Sequence, residues 1–520
     1  MKSSTSPAAQ PAPLVILGAG VAGLAAALRW TRLHPHHPVI LLEASQRPGG
    51  LASGWIHKDF AADLGPHRIF TELPEIEELL PELIAQEQLL VVKRTSQMLL
   101  ADRFVDYPLK ALDLLHVFGP KRMAKFALSA LQGKLQKLRG LPARDFQTVM
   151  RQAFGSGLSA LVVEPYAEKV WKTPPDRLDA EVARVRVSAG NITKLLRQIF
   201  GRPEPKGQES ALREFRYIRG GVHALVQALQ TKVEAAGGRI LLGHRVTGLE
   251  VDPTTGTILA VNSLSPPQQK KEKAPFPQPP PIVTSADALL AQSVSSSDAV
   301  PTRHPASAVI STIPLPELHQ LAQAHLPTDT QAQEAATNLP YLGLVLVALV
   351  LPRPRLSSNC WLYFPDPNLI FNRAYEPANF DPSMAPNDQT MVVFEVTTRW
   401  EDPLWQSPVE AVIEKVRADA TRIGLIKPGE CQTSFAIKVP HTYPVYETGY
   451  RQRMVAVVNH LAALPNLITT GRQGLYNHNN MDHSMLMGMR AAEQISRYPQ
   501  NPAQTWAEAI LEFDRFRIVD

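Results

Sequence analysis

Four apolar residues, Leu14 to Leu17, run directly into Gly18-Ala-Gly20-Val-Ala-Gly23 and an Ala/Leu-rich stretch, Val21 to Trp30. A second apolar run, Val39 to Leu42, ends at Glu43. These periodicities predict strand, glycine turn, helix and strand. Two strands joined through a helix pair in parallel with a right-handed crossover. The first glycine permits a tight turn, the second lets a pyrophosphate approach the backbone, and the third lets helix and strand pack closely. The helix N-terminus offers unpaired N–H groups and a favourable dipole to phosphates. Glu43 lies 43 − 20 = 23 positions beyond the central glycine. A carboxylate there accepts hydrogen bonds from a ribose diol and disfavours a 2′-phosphate.

The bulk composition narrows the class. A chain of 520 residues has room for more than one domain. Hydrophobic residues make up 44% and charged residues 19%, which argues against global disorder. The two cysteines, Cys360 and Cys431, are too few for a disulfide framework and lack metal-type spacing. No metal site is therefore expected, and a reducing, cytoplasmic setting is. The net charge of +5 comes without any nucleic-acid-binding module, so no nucleic-acid partner is expected. Leu342 to Leu351 is far shorter than the ~20 residues a spanning helix needs and predicts a buried strand.

Along the chain, residues 1–13 read as a flexible tail rather than a signal peptide. The nucleotide-binding part is expected to be assembled from residues 14–100, 215–262, 306–330 and 456–520. Residues 101–214 supply a helical portion of a substrate domain, and 331–455 its sheet. The helical portion includes a basic stretch, Lys110 to Arg139, that reads as a solvated helix face; a second reading docks it on anionic lipid. Residues 263–305 are rich in Pro and Ser, include PPQQKKEK and PQPPP, and predict a disordered insertion.

Arg47-Pro48-Gly49-Gly50-Leu51 follows the acid that closes the second strand. A glycine pair beside an arginine can wrap the far side of a pyrophosphate with a charge-assisted contact. This resembles the extended signature of FAD-binding oxidoreductases of the amine-oxidase superfamily. Three further segments carry the resemblance: Asp63-Leu-Gly65-Pro66-His67-Arg-Ile-Phe70, His244-Arg245-Val246, and Gly471-Arg472-Gln473-Gly474 with Asn480-Met481-Asp482-His483. The resemblance implies a Rossmann-like α/β FAD-binding domain of the GR2 type with a discontinuous α+β substrate domain. It places His67 nearest the flavin, the Val246 backbone on adenine, and the 471–483 segments over the isoalloxazine and ribityl chain.

Glu164-Pro165-Tyr166, Lys169-Val170-Trp171, Trp361-Leu-Tyr-Phe-Pro365, Phe371-Asn-Arg373 and Asn480 to Gly488 resemble the branch shared by UDP-galactopyranose mutases and protoporphyrinogen-oxidase-like proteins. The leading expectation is an oxidoreductase that moves a hydride from an organic substrate to flavin N5. The alternative is a UDP-sugar mutase using reduced FAD as nucleophile, which needs arginines to hold a diphosphate. The resemblance puts Arg186 (or its neighbour Arg184), Arg373 and Tyr476 in that role, with His478 where the bacterial mutases carry a second tyrosine. Pro66 replaces a family glycine and removes a donor. Tyr443 and Tyr446, in a YPVY segment, are expected mainly to pack. A small-molecule substrate, apolar or a UDP-sugar, is implied; the oligomeric state is left open.

Overall fold

A computed structural model describes residues 11–186, 214–265 and 299–516, apart from the side chains of a few terminal positions. The leading residues, the segment after Arg186 and the centre of the Pro/Ser-rich insertion lie outside the described residues. The insertion is bounded more tightly than composition predicts: the Ile258–Ser265 strand runs into its start, and the Val300–Pro305 strand pairs back along it.

The predicted strand, helix and strand form at Leu14–Leu17, Val21–Leu33 and Val39–Glu43. They sit at the centre of a five-stranded, all-parallel sheet in the order 467–469, 308–311, 14–17, 39–43, 239–242. The central strand is wholly buried, as a strand covered on both faces must be. The sequence pattern from Arg239 to Val251 divides in two. Arg239–Leu242 completes this sheet, and after Gly243 the chain turns into the Arg245–Val251 strand of a three-stranded antiparallel sheet.

A seven-stranded mixed sheet forms the second layer, in the order 433–444, 341–351, 390–398, 373–375, 361–363, 96–100, 103–106. Its Tyr341–Leu351 strand is buried at every position, which fits the long apolar run. No described helix is long and apolar enough to cross a membrane. The basic stretch is helical over Ala111–Leu138 but broken into two helices at Gly119, which takes the non-helical φ 74° and ψ 165° ahead of Pro120.

Helix Val21–Leu33 is clamped at both ends of its first turn. A Cβ on Gly23 would collide with the Gly18 carbonyl oxygen, and one on Gly488 of helix Met481–Arg497 would collide with the Ala22 carbonyl oxygen. Gly488→Ala should therefore destabilise the fold by about 1–3 kcal/mol through overpacking. Gly248→Ala, with open space around its Cα, should show no such overpacking loss. The denaturation midpoints of the two variants check this.

Candidate functional site

The carboxyl ends of the parallel strands open into a cavity of about 500 Å³ lined from both layers. That is where open α/β sheets bind ligands, and the volume falls within the usual range for small-molecule and cofactor sites. Gly18, Gly20, Glu43, Arg47, Gly49, Gly50, Leu51, His67, Arg373, Gly471, Arg472, His478, Asn480 and Met481 all line it. Gly23 does not; it works from behind, through the close helix–strand contact.

The cradle is built from backbone. Gly18 has φ 94° and Gly49 φ 113°, conformations that disfavour any side chain. The Gly49 N–H donates to the Ala19 carbonyl at 2.8 Å, drawing the second glycine turn over the first. The Val21–Leu33 helix starts without a side-chain cap, and a Cβ on Gly20 would approach nothing closer than 3.9 Å. Its N-terminus therefore faces open space suited to an anion. Glu43 accepts from the Ala19 N–H at 2.8 Å and from the Ser45 N–H and hydroxyl at 2.9 and 2.8 Å. The acid thus braces the turn while lining the cavity beside it. Arg47 is held by the Gly54 carbonyl at 2.8 Å, and burial lowers its pKa.

Arg373 and Glu395 are register partners on adjacent strands and pair bidentately, at 2.8 and 2.7 Å. Burial alone would lower the Arg373 pKa; the Glu395 carboxylate beside it holds it well above the ordinary value. Arg472 donates to the Asn479 carbonyl at 2.6 Å and the Thr442 carbonyl at 3.0 Å, and lies over the Tyr443 ring. His478 stacks on Tyr443 with ring centroids 5.6 Å apart.

His67 and Asp63 form a second buried couple. Asp63 accepts from the Tyr217 hydroxyl at 2.8 Å and the Val222 N–H at 2.9 Å, yet burial pushes its pKa up to about 7. Burial, with the charges of Arg472 and Arg373, pushes His67 down to about 4. The His67 Nδ1 sits 4.0 Å from Asp63 and has no hydrogen-bond partner. The imidazole is neutral, and its unpartnered Nδ1 is buried on the side that faces Asp63.

Other expected site residues sit elsewhere. Tyr476 is fully buried and its hydroxyl donates to the Pro340 and Val445 carbonyls at 2.6 and 2.7 Å, so it is turned away from the cavity. Val246 lies in the antiparallel sheet outside the cavity lining, although His244, two residues earlier, donates its backbone N–H to the Glu43 carbonyl at 2.8 Å. Asp482 is in the first turn of its helix, 3.7 Å from the His483 ring, also outside the lining. Arg186 ends the Ala180–Arg186 helix, and its side chain is outside the described residues. Arg184 is exposed and paired with Glu181. Lys169 is a peg: its ammonium donates to the Phe364 and Asp366 carbonyls at 2.8 and 2.6 Å, and burial lowers its pKa to about 7.

The cavity also holds residues not singled out by motif, among them Arg94, Thr312, Lys438 and His441. Thr312 had a signal: it follows the AVIS strand at the ligand-binding edge of the sheet. Tyr443 packs against the core and the His478 ring and also lines the cavity; Tyr446 packs face to face with Tyr450 at 3.9 Å.

Two outcomes follow. Glu43→Gln should weaken flavin binding at least about tenfold, or ~1.4 kcal/mol, because an amide N–H would oppose one of the donors; flavin titration of the apoprotein measures it. Between about pH 4 and 6.5 the folded pair holds one proton on Asp63, and the unfolded chain holds one on His67. The pair therefore contributes no pH dependence. In His67→Gln only the raised Asp63 pKa remains, so stability should fall by about 1.4 kcal/mol per pH unit as pH rises through that window. Thermal unfolding of both proteins across pH 4.5 to 6.5 reads the difference.

The model for flavin containing amine oxidoreductases matches residues 21–265 and 282–496. Coproporphyrinogen III oxidase of Staphylococcus aureus is 24% identical over 250 residues, 43% of this chain; the chain spans 52% of that relative's length. Among solved structures, reduced UDP-galactopyranose mutase superposes with a TM-score of 0.73 at 20% identity, over 96% of this chain and 98% of that one. A protoporphyrinogen-oxidase-like protein from Exiguobacterium gives 0.68 at 18% identity, over 94% and 99%. At such identities the structural likenesses establish the fold. With the glycine cradle, the bracing acid and the second glycine pair in one cavity, and a family model spanning most of its length, the chain belongs to the flavin containing amine oxidoreductase family, as an enzyme with FAD as its cofactor.

Proposed function

We propose that the chain is an FAD-dependent oxidoreductase that takes a hydride from a small organic substrate, rather than a sugar-nucleotide isomerase. The carrying observation is the bidentate Arg373–Glu395 pair. A diphosphate clamp needs an arginine whose fork is open. Here the Nε–Nη2 edge of the fork is filled by a carboxylate that is itself almost wholly buried, so the guanidinium charge is already matched before a diphosphate could use the remaining Nη1 side. Trp361, Tyr363 and Tyr443 line the same cavity, which suits an apolar or aromatic substrate.

Bound FAD supplies the hydride acceptor. The chain's own residues bind, orient and shield. The glycine cradle and Arg47 serve the pyrophosphate, and Glu43 the ribose. The aromatic residues exclude water from the substrate. His67 stays neutral at neutral pH, so it adds no positive charge beside Arg373 and Arg472.

The mutase reading keeps one observation in its favour: Arg68 and Arg94 also line the cavity, and two cations there suit an anionic substrate. Anaerobic mixing separates the two. A porphyrinogen or amine should bleach the flavin, with oxygen or a quinone restoring the colour. Dithionite-reduced protein should leave UDP-galactopyranose unchanged; conversion to the furanose would overturn the proposal. Arg373→Ala alone would strand a buried carboxylate at a cost of about 3–5 kcal/mol. The cleaner variant is Arg373→Met with Glu395→Leu, which should retain its flavin and bleach within about tenfold of the wild-type rate.

A further inference from the structure

We infer that the second half of the Ala111–Leu138 helix is a docking face for an anionic lipid surface. Leu128, Leu131, Leu135 and Leu138 are 60%, 56%, 46% and 74% exposed. At about 100° per residue these four, with Ala124 and Ala127, fall within an arc of about 100°. That is an apolar stripe of the width a core-facing helix carries, but it points outward. The opposite face does the packing: Gly133 is buried against the Arg151 and Gln152 backbone of helix Phe146–Phe154, and Phe126 packs on the core.

The flanks of the stripe are basic. Lys134 and Lys137 lie along one side, Lys121, Lys125 and Arg139 along the other, and no Asp or Glu occurs from Pro120 to Leu141. A helix with an exposed apolar arc between cationic flanks lies in the plane of an anionic interface. Its leucines enter the acyl boundary, and its lysine stems extend beside them to reach headgroups. A second copy of the chain is a poorer occupant, because two-fold pairing of this face would bring the two sets of lysines together. Four residues before the helix, the Tyr107 ring packs 5.1 Å from Tyr363, which lines the cavity. The chain leading into this helical stretch thus reaches the aromatic wall of the site. The inference does not depend on which reaction the cavity performs.

The test is co-sedimentation of the flavin-loaded protein with vesicles of phosphatidylcholine alone, or with about one-third phosphatidylglycerol. Binding should be at least about tenfold stronger to the anionic vesicles and should weaken with added salt. Replacing the four leucines with serine should reduce it at least about tenfold, while flavin absorbance is kept. Lys134→Glu with Lys137→Glu should weaken binding to anionic vesicles without reducing binding to neutral ones. Failure of the wild type to bind anionic vesicles would overturn the inference, as would unchanged binding by the serine variant. So would a wild-type dimer in sedimentation velocity that the serine variant breaks to monomer, because a second copy would then cover this face.

Discussion

The contact on which the rest depends is the seating of one short turn of backbone. Gly18 bends the chain out of the central strand, Gly23 lets the following helix lie against that bend, and Gly488 lets a second helix close on the Ala22 carbonyl. None of the three positions has room for a Cβ. This compression aims the helix N-terminus at the cavity, and with it the charge complementarity that an anionic cofactor requires. The remaining contributors are arranged around it. Glu43 ties the turn through Ala19, Gly49 is drawn in by the Ala19 carbonyl, and Thr312 donates its hydroxyl to the Leu17 carbonyl at 2.8 Å.

The other wall of the cavity handles charge differently. Arg373 is neutralised in place by Glu395, and Arg472 is spread over carbonyls and an aromatic face. His67 and Asp63 are both driven toward their uncharged forms by burial. Asp63 also connects the two layers. Its side chain fastens the Gly221-Val222 turn that leads into the His223–Ala235 helix, while its carbonyl accepts from the Tyr375 hydroxyl of the mixed sheet at 2.7 Å. A change in its protonation would therefore be felt on both sides of the cavity.

What the sequence reveals follows the range of the interactions. The strand–helix–strand unit was legible because its signals are local: apolar runs, a fixed glycine spacing and an acid at a strand end. Tyr476 was not, because its direction is set by a backbone turn with φ 48° and by carbonyls more than thirty residues away. Arg373 could be picked out as a charge in the right segment, but its partner emerges only when the 373–375 and 390–398 strands take their register. Arg94, Lys438 and His441 arrive on or beside strands of the mixed sheet, and no short motif marks them. Between Arg239 and Val251 the chain passes from one sheet to the other at Gly243, a step that depends on which strands each half finally pairs with.

The order of strands in the parallel sheet has a consequence for how the chain is made. Its edge strand, Leu467–Thr469, packs beside Ala308–Ser311, which packs beside Leu14–Leu17. The helix bearing Gly488 comes later still. During synthesis the glycine turn emerges well before the surfaces that compress it. The cradle therefore stays uncompressed until the helix bearing Gly488 has been made and has docked.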